Sequence, residues 1–418
     1  MNTPCDILVA GGGVSGTAAA LASARSGART ILIEKESFLG GTGYAGLLQY
    51  ICGLYLNGGS FPAETLNPGI VREIVGLLNK LSPQKKIKKI GQVYVLPYSR
   101  EDMHSVFTSL CRQEPNLTVL YNTTVVSVKK KIRKIGKVIV SSSGVRHTII
   151  SKFVIDCSGN GDVSAMAGAS FRLSPAKKLQ LAGYTIHIKG IKGQDETLAI
   201  KVPYYLAEAV RQKILSPYLR FSTFSPADTP GEGYCKLSID GVDSAKREQK
   251  AKRDAVIVHR YLADRMPSFK DSYIAETSTS VSDREGRRIC GEFTLTEKDV
   301  LTARKFYDAI VKNSWPIELW DKNKGVIYKY VRTGDYYEIP FRCIKVKGIP
   351  NLLCAGRCIS VSAEALGSTR VMGACITLGE QAGLLSAFKV KNGVYPERVK
   401  KTSNKKITKE VLHAHSAH

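Results

Sequence analysis

Hydrophobic and polar positions along this chain switch between two periods, and the switches mark its elements. Ile7, Leu8 and Val9 form a continuous apolar run of the kind a parallel strand buried on both faces shows. It passes into Gly11, Gly13 and Gly16, after which small residues from Thr17 to Ala24 predict a helix and Thr30 to Ile33 a second strand. Apolar residues at 70, 71, 74, 75, 77 and 78 recur with helical period behind Pro68 and predict an amphipathic helix over 68–79. Ser99, followed by Glu101 and Asp102, predicts the cap of a helix that Pro115 stops near Glu114. A short strand at 117–121 follows. Strand-like runs at 124–130, 136–142 and 146–155, parted by basic or Ser/Gly turns, then predict an antiparallel meander that returns to the main sheet.

The return strand, 153–156, runs into a second glycine-rich turn, Cys157-Ser-Gly-Asn-Gly-Asp162, and a helix-like stretch at 163–169. From about 171 to 330 the glycine-loop pattern stops. Strand-like 181–188 and 233–239 alternate there with helix-like 245–266, which suits an inserted α+β unit on an antiparallel sheet. Residues 339–344 and 351–355 lead back to the first unit, and 370–388 predicts a long helix whose glycines and alanines permit close packing. The pattern therefore predicts an α/β fold with a discontinuous nucleotide-binding domain, 1–170 and 331–398. The insert at 171–330 interrupts it, and a basic tail at 399–418 is expected to be disordered.

Composition changes this picture little. The 418 residues are 43% hydrophobic and 23% charged, ordinary for a globular chain of two or three domains. No run reaches the length of a membrane span. The apolar start lacks a basic n-region, carries Asp6 and is broken by glycines, so it reads as a strand rather than a signal peptide, and the protein is expected in the cytoplasm. Net charge is +25, from 61 Lys and Arg against 36 Asp and Glu, gathered at 84–89, 129–134 and 400–409. No aromatic-and-basic pattern accompanies these clusters, so solvated loops, or attraction of anionic substrates, explain them better than nucleic acid. The ten cysteines include no Cys-x-x-Cys pair and the seven histidines are dispersed, so no metal site is expected.

Candidate chemistry starts at the first turn. Gly11, Gly13 and Gly16 have the G-x-G-x-x-G spacing between strand and helix, and Glu34 ends the next strand, where it can accept hydrogen bonds from a ribose diol. A strand, a helix, a second strand and an acid in that order predict a dinucleotide site, its pyrophosphate at the helix N-terminus. The second loop, Phe38 to Gly46, is glycine-rich enough for its backbone to press against a ligand or against another segment. Asp162 faces two roles, one toward a cofactor and one as the cap of a helix starting at Val163. Arg284, Arg287 and Arg288 form the notable cluster outside these loops. On a strand, 284 and 288 share a face, fit to clamp a carboxylate, or the set pairs structurally with Glu285 or Glu292.

Taken together, these stretches resemble the glutathione-reductase-type flavoproteins, most closely the broad FAD-dependent oxidoreductase family near the fumarate-reductase-like flavoenzymes. Asp6 to Glu34 is similar to the family's FAD fingerprint, and Phe38-Leu-Gly-Gly-Thr42 to its next loop. Asp156 to Asp162 resembles Asp-Ala-Thr-Gly-Asp-Gly-Asp, and Asp283 to Gly291 resembles Arg-Glu-Ser-Arg-Arg-Ile-x-Gly. Asn351 to Ser360 with the helix after Arg370 resembles the C-terminal signature. Cys157, Ser158, Asn160 and Gly286 depart from the family's residues. About 171–280 lies outside the resemblance.

The resemblance implies a Rossmann-like FAD-binding domain of glutathione-reductase type with an inserted α+β substrate domain. It implies FAD held by Gly11, Gly13, Val14, Ser15, Gly16, Glu34 and Lys35, then by Gly40, Gly41, Thr42, Val126, Gly159 and Asp162. Gly356, Arg357, Arg370, Met372 and Gly373 complete that set, with Met372 and Gly373 nearest the flavin pyrimidine ring. Arg284, Arg287 and Arg288 become the catalytic candidates. The implied activity is hydride transfer between flavin N5 and a small organic substrate, an anionic, carboxylated one suiting the arginines, by dehydrogenation or ene-reduction. Two alternatives stand beside it. One is a flavin-containing disulfide or heterodisulfide-type subunit, for which Cys52 is the candidate remnant; the other is a non-enzymatic nucleotide- or RNA-associated protein.

Overall fold

A computed structural model of the chain describes residues 2–193, 196–240 and 244–396. The expected tail at 399–418 lies outside the described residues. The organising element is a seven-stranded sheet. From one edge its strands run Leu117–Leu120, Thr30–Ile33, Asn2–Ala10, Val145–Asp156, Lys134–Ser142 and Thr123–Lys131, and Leu352–Cys354 joins Val145–Asp156. The first four of that order are mutually parallel, and the last two close an antiparallel meander as the alternation predicts. The 12-residue strand Val145–Asp156 serves both parts. Its first half pairs antiparallel with Lys134–Ser142, and Val154 to Asp156 pair parallel with Leu352–Cys354.

Register decides what this sheet can hold. Ala10 lies opposite Ile33 on one side and Asp156 on the other, and Asp156 lies opposite Cys354. Four parallel strands therefore end level, and the loops that follow them leave from one edge: Gly11 to Gly13, Glu34, Cys157 to Gly161, and Gly356 with Arg357. The carboxyl ends of parallel strands are where open α/β sheets bind ligands.

Two helices complete that edge. Val14–Arg25 follows the first loop, and Met372–Asn392 crosses it closely. A Cβ on Gly379 would enter the Ser15 carbonyl, and one on Gly383 would enter the Ala19 carbonyl. The glycines and alanines of the predicted 370–388 helix thus serve backbone-to-backbone packing against the first helix. Elsewhere the helices Ile70–Leu81 and Arg100–Gln113 form near the expected positions. The Ser99 side chain accepts from the Asp102 N–H at 3.0 Å, as its position predicts.

A second apolar core is built around a four-stranded antiparallel sheet, Thr223–Pro226, Glu232–Ile239, Ala182–Lys189 and Tyr273–Thr277, with helices Leu198–Arg211 and Ser244–Arg265. Alternation sorts its faces. Ala182, Tyr184, Ile186 and Ile188, with Cys235, Leu237 and Ile239, point into that core, so Gly183, Thr185 and Lys236 point the other way. Two local expectations need correction. The strand proposed across the arginine cluster is only Arg288–Ile289, so no strand face relates Arg284 to Arg288. The helix after the second turn is Asp162–Met166, shorter than 163–169. The stretch at 339–344 is the strand Tyr337–Pro340 followed by a 3-10 turn, Phe341–Cys343. Among the described residues no single helix is long and apolar enough to cross a membrane.

Candidate active site

Between the carboxyl edge of the main sheet and the outward face of the four-stranded sheet lies a cavity of about 260 Å³. The first loop and helix contribute Gly13, Val14 and Ser15, and the second loop contributes Gly40, Thr42 and Gly43. Later turns bring Cys157, Gly159, Gly356 and Arg357, and the late helix brings Arg370, Val371 and Met372. The outward face of the four-stranded sheet supplies Gly183, Thr185 and Lys236, and Asp283, Arg284 and Glu318 complete the wall. Residues from nearly the whole length of the chain converge here.

The cavity is prepared for a ligand rich in phosphate and carbonyl oxygens. Both helices that reach it, Val14–Arg25 and Met372–Asn392, begin without a side-chain cap, on Gly13 and Val371. The positive ends of their dipoles therefore face the cavity, with Val14, Ser15 and Met372 in its lining, while the next N–H of the late helix, that of Gly373, is taken by the Cys52 carbonyl. The glycines divide the work. A Cβ on Gly11 would come within 2.5 Å of the Cys157 carbonyl oxygen, so Gly11 exists to let two loops touch. Gly13 meets only the Cα of Gly41 at 3.9 Å, which leaves its backbone open to the cavity. The Phe38 to Gly46 loop also resolves: Gly40 bridges to Gly13, so its glycines press on another segment, and Gly40 and Thr42 line the cavity besides.

Glu34 is 5% exposed, and its carboxylate accepts from the Gly12 N–H at 2.5 Å and the Glu36 N–H at 2.9 Å. Burial raises its pKa against these two bonds. The arrangement fixes the carboxylate beside the glycine turn, as a ribose-binding acid requires. Lys35, by contrast, is exposed and pairs with Glu36, and Val126 is exposed on the strand Thr123–Lys131. Neither lines the cavity, nor do Glu34, Gly11, Gly16, Gly41, Asp162 or Gly373. Gly373 donates its N–H to the Cys52 carbonyl at 2.9 Å, which leaves Met372 as the nearer backbone.

The turn Cys157 to Asp162 is organised by Asp156, not by Asp162. The fully buried Asp156 carboxylate accepts from the N–H and hydroxyl of both Ser158 and Ser164, at 2.7–3.1 Å. Burial raises its pKa, and these four donors oppose that. Asp162 neither lines the cavity nor caps its helix. The cap position belongs to Gly161, and Asp162 instead pairs with Arg287 at 2.7 Å.

The arginine cluster splits three ways. Arg287 holds Asp162 and the Asn160 carbonyl. Arg288 is buried against Glu285 at 2.6 Å, with Ser174 beside it, and lines no part of the cavity. Arg284 is the one that enters. Its guanidinium stacks 3.8 Å from the centroid of the Trp320 ring, one nitrogen donates to the Leu181 carbonyl, and Nη2 is buried without a partner. The two family departures in this region touch each other: a Cβ on Gly286 would meet Asn160 Oδ1 at 2.5 Å, and that oxygen accepts from the Arg287 N–H at 3.0 Å. Gly286→Ser should therefore cost about 1–3 kcal/mol by overpacking. Chemical denaturation reads that loss, and Asn160→Ala in the same chain should recover most of it.

Charge in the cavity is unbalanced. Four cationic side chains, Lys236, Arg284, Arg357 and Arg370, line it with two carboxylates, Asp283 and Glu318. Burial and then the charge of Arg284 lower the Lys236 pKa to about 8. Burial and then Arg370 lower Arg284 to about 9, and burial lowers Arg370 to about 10. Burial alone would raise Glu318, but Arg370, Lys236, the Trp320 hydrogen bond and Arg284 outweigh it and hold its pKa below the ordinary value. The cationic side chains of the wall thus outnumber its carboxylates by two. Lys236, Glu318 and Trp320 escape sequence reasoning. Lys236 interrupts an apolar run on 233–239 and so carried a weak signal, whereas Glu318 and Trp320 carried none.

A family model described as FAD dependent oxidoreductase matches residues 6–411. The chain belongs to this family. Its cofactor is FAD, and the open helix ends, the glycine turn and Glu34 fit that molecule. No match was found among curated proteins. Among solved structures, this flavoenzyme is similar to a geranylgeranyl bacteriochlorophyll reductase-like protein from Thermoplasma acidophilum. The TM-score is 0.53 at 13% identity, over 98% of this chain and 84% of that one. It is equally similar to p-nitrophenol 4-monooxygenase from Pseudomonas putida, with TM-score 0.53 at 13% identity over 99% and 86% of the two chains. At these identities the likeness concerns the fold.

Proposed function

We propose that this FAD-dependent oxidoreductase transfers a hydride between its cofactor and a small organic anion, a carboxylate first of all, by dehydrogenation or ene-reduction. Bound FAD supplies two-electron hydride chemistry at its isoalloxazine ring. We assign the binding domain to the glutathione-reductase type, with Glu34 and Gly13 toward the adenosine half and the Val14 and Ser15 N–H groups toward the pyrophosphate. The Met372 N–H would stand at the end of the ring where reduction places negative charge. Arg357, which donates to the Gly159 carbonyl at 2.9 Å and to the Asp283 carbonyl, ties the Cys157 to Asp162 turn to the residue before Arg284 and so orients Arg284.

One observation carries the substrate class. A buried guanidinium nitrogen without a partner leaves a strong donor unsatisfied, which is costly unless a ligand completes it. Arg284 Nη2 is that donor among the described residues, in a cavity lined by three more cationic side chains. A carboxylate there gains charge-assisted hydrogen bonds and offsets the excess positive charge. The disulfide-type reading finds less support: all ten cysteines are free, and burial pushes the Cys52 thiol up to about 12, far from a nucleophilic thiolate.

The test mixes dithionite-reduced holoenzyme anaerobically with 2-enoic acids, and oxidised holoenzyme with the saturated acids, following the flavin spectrum. Arg284→Met should keep stoichiometric FAD and lose roughly 30-fold or more in rate, the equivalent of about 2 kcal/mol for a charge-assisted bond. Unchanged rates in that variant would reject Arg284 as the anion-binding residue.

A further inference from the structure

Lys236 is the one lysine that lines the cavity, and it forms no ion pair with any described residue. It sits at the centre of a strand paired on both sides, opposite Thr185 and opposite Thr223, so its backbone is as fixed as any in the insert. The Trp320 ring organises its end. Lys236 Nζ lies 4.9 Å from the ring centroid and the Arg284 guanidinium 3.8 Å from the same centroid, while Trp320 Nε1 donates to Glu318 at 2.6 Å. Gly183 leaves the space between the two cations clear: a Cβ there would stand 3.1 Å from Arg284 Nη2 and 3.5 Å from Lys236 Cε. An amine and an unsatisfied guanidinium thus converge on one small volume.

We propose that Lys236 is the acid–base residue of this site, moving a proton at the carbon next to the carboxylate that Arg284 holds. The proposal rests on the reading of the site as one for hydride transfer to or from a carboxylated molecule. In the reducing direction a 2-enoate would receive a hydride, with both electrons of the new bond, at its β-carbon, the chemistry that bound FAD would supply. The carbon–carbon π electrons then take the proton from Lys236 Nζ at the α-carbon. The products are the saturated acid, the oxidised cofactor and a neutral amine, which solvent reprotonates. Dehydrogenation reverses each transfer. The groups facing Lys236 suit it to this work. Burial and Arg284 lower its pKa, Arg370 adds to that, and Glu318 and Cys52 oppose it, which leaves it at about 8. Both protonation states are then accessible near neutral pH, as proton transfer requires, whereas the arginines stay charged.

The experiment compares the FAD-loaded wild type with Lys236→Met and Lys236→Arg, using crotonate and 1-nitropropene as probes. A nitro group offers the same pair of oxygens as a carboxylate, and hydride addition to a nitroalkene yields a nitronate that persists without enzymatic protonation. Reduced Lys236→Met should reduce crotonate roughly 100-fold or more slowly than wild type. It should still be reoxidised by 1-nitropropene, but release the nitronate where wild type releases nitropropane. Lys236→Arg should behave like Lys236→Met, because a guanidinium does not give up its proton. Acetic anhydride labelling of the oxidised holoenzyme, read by peptide mass spectrometry, should show Lys236 reaching half-reactivity near pH 8. Equal crotonate rates with nitropropane released by Lys236→Met, or labelling of Lys236 that starts only above pH 10, would overturn the proposal. If neither probe reoxidises wild-type flavin, the hydride-transfer reading falls and takes the assignment of Lys236 with it.

Discussion

Arg288→Ala is expected to destabilise this protein by about 3–5 kcal/mol, because it strands a carboxylate in the interior rather than because it removes a substrate contact. The Glu285 side chain is 2% exposed and that of Arg288 is 7% exposed, with 2.6 Å between them. Deleting the guanidinium leaves Glu285 with only the Ser174 hydroxyl as a recorded partner. Two features separate this outcome from a catalytic one. The loss should appear as a lower denaturant midpoint at unchanged slope. It should also be largely recovered in Arg288→Met with Glu285→Leu, since an apolar replacement of a buried ion pair is close to neutral. Arg284→Met should show the opposite profile, with stability little changed and anion-dependent chemistry lost. Neighbouring arginines thus divide into one that serves the fold and one that serves the site.

The second large effect concerns the crossing of the two helices that open onto the cavity. Gly379→Ala places a methyl group inside the Ser15 carbonyl, where neither partner is a flexible side chain that can move aside. The helices must separate, at a cost of about 1–3 kcal/mol or more. Because Val14 and Ser15 on one helix and Met372 on the other line the cavity, separation also spoils cofactor binding. FAD per chain should therefore fall together with Tm. Gly76→Ala is the matched control. It lies in the helix Ile70–Leu81 with nothing within 4 Å of an added Cβ, and should gain about 0.5–1 kcal/mol.

How much of this was legible beforehand follows from what local sequence can encode. The first turn and Glu34 are contiguous in a βαβ unit, so spacing alone placed them, and the meander followed from alternation between turns. The long small-residue helix was legible as a helix meant for close packing. The arginine cluster was not resolvable, because which of Arg284, Arg287 and Arg288 enters the cavity depends on their partners. Those partners are Asp162, Glu285 and Trp320, at distances of up to 125 residues along the chain. Asp162 was not resolvable either: the carboxylate that gathers the four donors of its loop is Asp156, and the partner of Asp162, Arg287, lies 125 residues along the chain. Lys236 and Glu318 come from the strands Glu232–Ile239 and Ile317–Asp321, where a charged residue in an apolar pattern does not announce which face it takes.

The central claim is that the cations beside the cofactor form a seat for an anion. It is tested most directly by titrating oxidised holoenzyme with acetate, which does not react, and recording the flavin absorption spectrum. The account predicts a saturable spectral shift that is abolished in Arg284→Met and preserved in Arg287→Lys. It also predicts apparent affinity that weakens as pH rises through about 8, where Lys236 loses its charge. A spectrum indifferent to acetate, or a shift that survives unchanged in Arg284→Met, would contradict it.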